Sequence, residues 1–262
     1  MKPIARRRTH RPTAALIAVL IALVSLLASF SAAAQPDTSL SAVWRATSRL
    51  GYGPTAATAQ AAQTGAKAWG LQQIDAAYAA SQQAPLVPAE LARFNQTLED
   101  TMRDVIAERE ARKQVKELAT VTNLPNQPNL ANPPGMANNT AMAGPADFSR
   151  QMQQTAAAWR LMSCSDPSLE NPLLARMTEF WFNHLNVFVG KGTVRTFVGH
   201  YVVNVSRANA LGKFEDLLLV SARHPAMLLY LDQSQSKACS LNENYARELM
   251  ELHTQGVDAG YS

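Results

Sequence analysis

Two stretches of the chain carry acid, amide and imidazole side chains at spacings that could do chemistry. In NPLLARMTEFWFNHLNVF, Leu173, Met177, Phe180 and His184 fall at steps of four, three and four, so His184 shares a helical face with three large apolar residues. Such a histidine is either a core residue with one ring nitrogen bonded to a backbone carbonyl, or a metal ligand or proton carrier held at the floor of a pocket. In NENYARELMELHTQGV, residues 242–257, Asn244, Glu248 and Glu251 follow at steps of four and three and share a face. Tyr245, Ala246, Leu249 and Leu252 form the apolar side of the same helix. Carboxylates one turn apart can bind a divalent metal or serve as acid and base.

The second stretch also has a plainer reading. Glu243 and Arg247, like Arg247 and Glu251, are four apart, an ion ladder contributing roughly 0.3–0.5 kcal/mol per exposed pair. His253 lies two after Glu251 and five after Glu248, which misses the three-residue Glu-to-His spacing of helical metal sites. Spacing alone leaves both readings open. Asp232 closes ARHPAMLLYLD and reads as a cap or turn acid leading into QSQSKACS, with no catalytic partner beside it. The chain has no GxSxG elbow, no GxxxxGK[ST] phosphate loop, no GxGxxG and no HExxH, which disfavours covalent hydrolase and nucleotide-binding chemistry.

The elements that must position these residues are helices. From Thr38 to Gln83 the chain is rich in Ala and Gln, with the turn GYGP separating two helical stretches. Pro88 to Leu118 is strongly charged without internal Pro or Gly, and it reads as one long exposed helix with Leu91, Phe94, Leu98, Met102 and Val105 on its apolar stripe. Residues 123–146 are dense in Asn, Pro and Gly, a linker or long surface loop between an amino-terminal helical part, 35–122, and a carboxyl-terminal one, 147–262. Only HYVVNV hints at a strand, and its flanks favour helix. The expected class is all-α, an irregular helical bundle behind a cleavable signal peptide.

Residues 1–34 have the parts of an export signal: a basic start, an apolar stretch from Ala14 to Leu27, and small residues offering cleavage after Ala34. An uncleaved anchor is the alternative, since Ala14 to Phe30 approaches membrane-crossing length. Removing Lys2, Arg6, Arg7, Arg8 and Arg11 from the 24 Lys and Arg leaves 19 against 20 acids. The mature chain is therefore near neutral, with no clustered basic footprint for nucleic acid and no stable membrane span after cleavage. The two cysteines, Cys164 and Cys239, could pair after export, closing a loop of about 75 residues worth roughly 4 kcal/mol. Two free thiols fit equally well.

The succession RMTEFWFNHLNV, ANALGKFEDLLLVSARHPAMLLYLD and NENYARELMELHTQGV followed by GYS resembles the domain of unknown function 1800 family in order and wording, as does WRATSRLGYGPT near the mature start. Positions matching its most regular wording are Phe180, Trp181, Asn183, His184, Pro225, Asp232, Asn242, Glu243, Asn244, Arg247, Glu248 and Glu251. The resemblance implies a bacterial, commonly exported, largely helical protein without an agreed activity, encoded beside a sulfatase-like family and sharing an extracytoplasmic task with it. Family members continue after the tyrosine matching Tyr261 into a second half, so a truncated product or fragment is expected here.

Two functions follow from these observations. The first is a periplasmic or cell-surface helical module acting with a partner protein, for which a sulfatase-like envelope protein is the candidate. The alternative is a metal-dependent, hydrolase-like enzyme with His184, Glu248 and Glu251 as ligands or acid/base groups, Asn244 orienting the substrate, and a divalent metal as cofactor. It requires the helices at 170–188 and 241–255 to bring these side chains together.

Overall fold

A computed structural model describes residues 38–122 and 147–260, with side chains over 38–117 and 147–260. The expected export signal at 1–34, the Asn/Pro-rich segment at 123–146 and Tyr261 lie outside the described residues. Ten α-helices run in chain order among them: α1 Leu40–Arg49, α2 Ala56–Ala62, α3 Ala66–Ser81, α4 Leu98–Thr122, α5 Phe148–Ser165, α6 Pro172–His184, α7 Val194–Tyr201, α8 Phe214–Arg223, α9 Pro225–Tyr230 and α10 Glu243–Glu251. The described residues contain no strand, only an isolated bridge between Lys237 and Ser240. The protein is all-α, and HYVVNV belongs to α7 and the wider π-helical turns Val202–Arg207 that prolong it.

Local chemistry starts these helices where the sequence offers caps. Ser39 accepts from the Ala42 amide, Thr55 and Thr58 cap reciprocally after the GYGP turn, and Asn171 accepts from Leu173 and Leu174 with Pro172 at the first helical position. The expected single helix from Pro88 to Leu118 is instead broken. A 3-10 segment, Ala89–Asn95, ends at extended Gln96, and α4 begins afresh where the Thr97 hydroxyl accepts from the Asp100 amide at 3.1 Å. A threonine able to cap competes with helix continuation, and Phe94, buried in the core, fixes the bend. Val105 and Glu108 are buried too, while Met102 faces solvent.

The core centres on α7, where Val194, Phe197, Val198 and Tyr201 are all buried against Phe94, Trp159 of α5, Leu217 of α8 and Met227 of α9. Each such side chain contributes about 1.5–3 kcal/mol by leaving water. Their polar atoms are satisfied: Trp159 donates to the Leu86 carbonyl at 3.0 Å and Tyr201 to the Leu185 carbonyl at 2.8 Å. The helical parts on either side of 123–146 pack together. Ala77 of α3 meets Leu173 and Leu174 of α6 in a second cluster, and Arg176 of α6 donates to the Ser48 and Gly51 carbonyls. No described helix is long and apolar enough to cross a membrane.

Candidate functional site

Helix α6 turns Leu174, Thr178 and Phe182 into the core, and buried Leu185 follows as the helix ends. The face carrying Leu173, Met177, Phe180 and His184 therefore runs from the interior out to the surface. Leu173 is buried, Met177 half-buried, Phe180 54% exposed, and His184 exposed. The apolar periodicity marked a real face, but the core binds only its first turn, so His184 is not a core histidine. It nevertheless makes the carbonyl bond expected of one, with Nε2 lying 3.2 Å from the His253 carbonyl oxygen. A carbonyl can only accept, so Nε2 carries the proton and Nδ1 is left as an acceptor in the neutral ring. The imidazole is held among aromatic rings: Phe180 stacks parallel at 6.3 Å, while Trp181 and Phe214 approach edge-on at 5.7 and 6.2 Å.

Helix α10 reaches this place by polar anchors, for it contains no buried residue. Asn242 caps it by accepting from the Asn244 amide at 3.0 Å and donates to the Leu231 carbonyl at 3.1 Å. The Tyr245 hydroxyl donates to the Ala222 carbonyl of α8. Of the expected apolar side, Tyr245 packs partly on the core, while Ala246 and Leu252 are exposed. The ion ladder does not form as expected. Arg247 donates to Asn244 at 2.7 Å and lies 4.0 Å from Glu248, rather than pairing with Glu243 and Glu251. Rotamers on an exposed helix surface are decided by contacts of a few tenths of a kcal/mol, so the nearer amide prevails.

Between the end of α6 and α10 lies an open cleft of about 580 Å³, and it gathers His184, Asn244 and Glu248. Glu251 is not among the side chains that line it. The cleft follows the i, i+4 row Asn244, Glu248 and Leu252, and Glu251 stands beside that row. Sequence reasoning missed two other contributors, Asn186 and Lys191, and marked Asn183 only through the family resemblance. Asn183 and Asn186 flank His184 on the cleft wall, and Lys191 enters from the loop before α7. Lys191 donates to the Tyr230 carbonyl and to Asp232 at 2.7 Å, so the turn acid Asp232 has a partner 41 residues away that its neighbourhood could not disclose. Asp232 itself adopts a left-handed conformation, φ 59°, and heads the short turn 233–235, as its place before QSQSKACS suggested.

His253, set aside in the sequence for its spacing, lines the cleft from beyond the helix end. It is 5% exposed, and its Nδ1 is buried without a hydrogen-bond partner among the described residues. Burial first, and then the neighbouring His184, push its pKa below the ordinary histidine value. The donor set does not fit a metal: among the described residues no three His, Cys, Asp or Glu side chains come together in a way that could hold one. Elsewhere, Cys164 and Cys239 are free thiols, the first half-buried beside Tyr52 and raised in pKa chiefly by that burial, the second exposed.

A second histidine pair, also missed, lies beneath α9. His224 caps that helix by accepting from the Ala226 amide through Nδ1 at 3.1 Å, and its Nε2 meets His200 Nδ1 at 3.0 Å. A signal for it existed: once Pro225 is read as opening a helix, the preceding residue must be its cap.

Residues 45–262 match the model of one protein family, described as protein of unknown function (DUF1800), and the chain belongs to that family. No curated protein and no solved structure matches it.

Proposed function

We propose that this member of the DUF1800 family is an exported helical module that works in the periplasm or at the cell surface by holding a segment of a partner protein in the α6–α10 cleft. The observation that carries this reading is the lining. Three amides, Asn183, Asn186 and Asn244, lie with Lys191 and Glu248 on the walls, while Leu252, 58% exposed, stands at the edge. Amide side chains offer a donor and an acceptor each, which suits the backbone of an extended segment, and exposed apolar groups supply area once water is excluded. Phe188, Leu241 and Val257 add exposed apolar surface on neighbouring segments. A sulfatase-like envelope protein is the partner we put first. Export rests on the leader, whose cleavage would leave Gln35 as the first residue.

A photo-crosslinking residue placed at Leu252, with one at Leu71 on α3 as control, tests this reading in the producing cell. A discrete adduct from Leu252 alone, lost when Asn244→Ala and Glu248→Ala are added, is expected. Equal adducts at both positions, or none at Leu252, overturn the reading. Amino-terminal sequencing of the protein from the envelope fraction tests export separately, and an intact leader on cytoplasmic protein would remove it.

A second reading is acid–base chemistry of the hydrolase type in the same cleft, favoured by the tautomer of His184. With Nε2–H held on the His253 carbonyl, Nδ1 can take a proton, and Glu248 shares the cleft. The metal-dependent form lacks a donor set among the described residues. Turnover of a panel of chromogenic esters, glycosides and peptides, abolished by both His184→Gln and Glu248→Gln, would put this reading first. No turnover of any of them would set it aside.

A further inference from the structure

The turn that sends Lys191 into the cleft continues into Gly192 and Thr193, which line a separate hollow of about 300 Å³ between α4, α5 and the start of α7. Gly192 has φ +52°, a left-handed conformation that favours glycine and lets the chain double back into α7. Three guanidinium groups face this hollow, Arg109 and Arg112 from α4 and Arg195 from the first turn of α7. One carboxylate, Glu108, faces it with them.

That carboxylate is already committed. Glu108 is buried and accepts from the Ser149 amide at 3.2 Å, from the Ser149 hydroxyl, and from Arg112 at 2.8 Å. Among the described residues that line the hollow, three positive groups stand against one negative. Arg109 is held toward the hollow by donating to the Thr193 hydroxyl at 3.3 Å. Arg195 joins them from the first turn of α7, with its Nε buried and without a hydrogen-bond partner among the described residues.

We propose that Arg109 and Arg195, with Arg112 held beside them by Glu108, form a binding site for a tetrahedral dianion, a phosphate or sulfate group, either free or as a small ester. Guanidinium groups match such oxygens in pairs. The positive end of α7, whose first turn carries Arg195, adds to the same field. Among the described residues no aromatic side chain lines the hollow, so they offer no stacking platform for a base or sugar ring. The site is distinct from the α6–α10 cleft and does not rest on how that cleft is read.

Isothermal titration of the full chain with sodium phosphate, sodium sulfate and glycerol phosphate, at ionic strength matched with sodium chloride, tests the proposal. One-to-one, saturable binding of at least one dianion is expected, with Kd raised about tenfold or more in Arg195→Gln and in Arg109→Gln. Tighter binding of glycerol phosphate than of either inorganic ion assigns the site to an ester, and the reverse assigns it to the free ion. Absence of saturable binding, or a Kd unchanged in the variants, overturns it. Arg109 is exposed, so its variant keeps the test decisive even where Arg195→Gln does not fold.

Discussion

His224 donates through Nε2 to Nδ1 of His200 across 3.0 Å, and the direction is fixed by the Ala226 amide, which occupies the other nitrogen of His224. A proton added at His224 Nδ1 removes the cap of α9, and one added at His200 Nδ1 sets two N–H groups against each other. Burial, and then repulsion from His200, lower the His224 pKa to about 3, and burial lowers His200 as well. A depressed histidine pKa means that the unfolded chain binds the proton more readily. The stabilisation is therefore whole above the unfolded value near 6.5 and is lost as pH falls from there toward 3. Stability should drop by on the order of 1–2 kcal/mol between pH 7 and pH 5. His224→Asn, which can still cap, should flatten that slope in urea unfolding series. An unchanged slope would show that the pair does not titrate with folding.

Glu170 and Arg207 form a bidentate ion pair, both 4% exposed, and Arg207 also donates to the Ala80 and Gln83 carbonyls. The arrangement ties the π-helical turns after α7 to the end of α3. Removing one partner leaves a buried charge uncompensated, so Glu170→Ala should cost about 3–5 kcal/mol in chemical unfolding. A loss below about 1 kcal/mol, the range of an exposed pair, would mean that the pair is solvated in solution.

Gly199 lets α7 approach the 3-10 segment and α5 without a side chain between them. A Cβ there would meet Phe94 Cδ2 at 2.5 Å, the Phe94 carbonyl oxygen at 2.9 Å and Ala156 Cβ at 3.1 Å. Two of these are backbone or short side-chain atoms in a packed core and cannot swing aside. Gly199→Ala should destabilise by about 1–3 kcal/mol despite the better helix propensity of alanine, measured as a lower Tm. A raised Tm would show that this helix contact is looser than described.

Glu248 and Glu251 have the same chemistry one turn apart, yet only Glu248 lines the cleft. Glu248→Gln should weaken whatever the cleft holds, read as loss of the Leu252 crosslink, while Glu251→Gln leaves it intact. Both should stay within about 0.5 kcal/mol of the parent in stability, as substitutions on a helix without buried residues. Equal loss in both variants would mean that the helix, rather than the cleft row, is what the partner reads.

Much of this was legible in the sequence because helices are written in local spacing. The all-α class, the helical stretches on either side of the GYGP turn, and the shared face of Asn244 and Glu248 all follow from residues within a turn or two of one another. The break after Asn95 was missed because a capping threonine in a charged, Pro-free run looks like any polar residue until Phe94 finds its place in the core.

Which helix faces meet was decided only by the tertiary structure. His184 and the His253 carbonyl are 69 residues apart, Lys191 and Asp232 are 41 apart, and Arg195 shares its hollow with Arg109 across the chain's two helical parts. Periodicity says that a residue lies on a face, but burial of the apolar core around α7 fixes how the helices turn. That packing carried Phe180 and His184 outward, brought Asn244 and Glu248 to them, and left Glu251 beside the cleft.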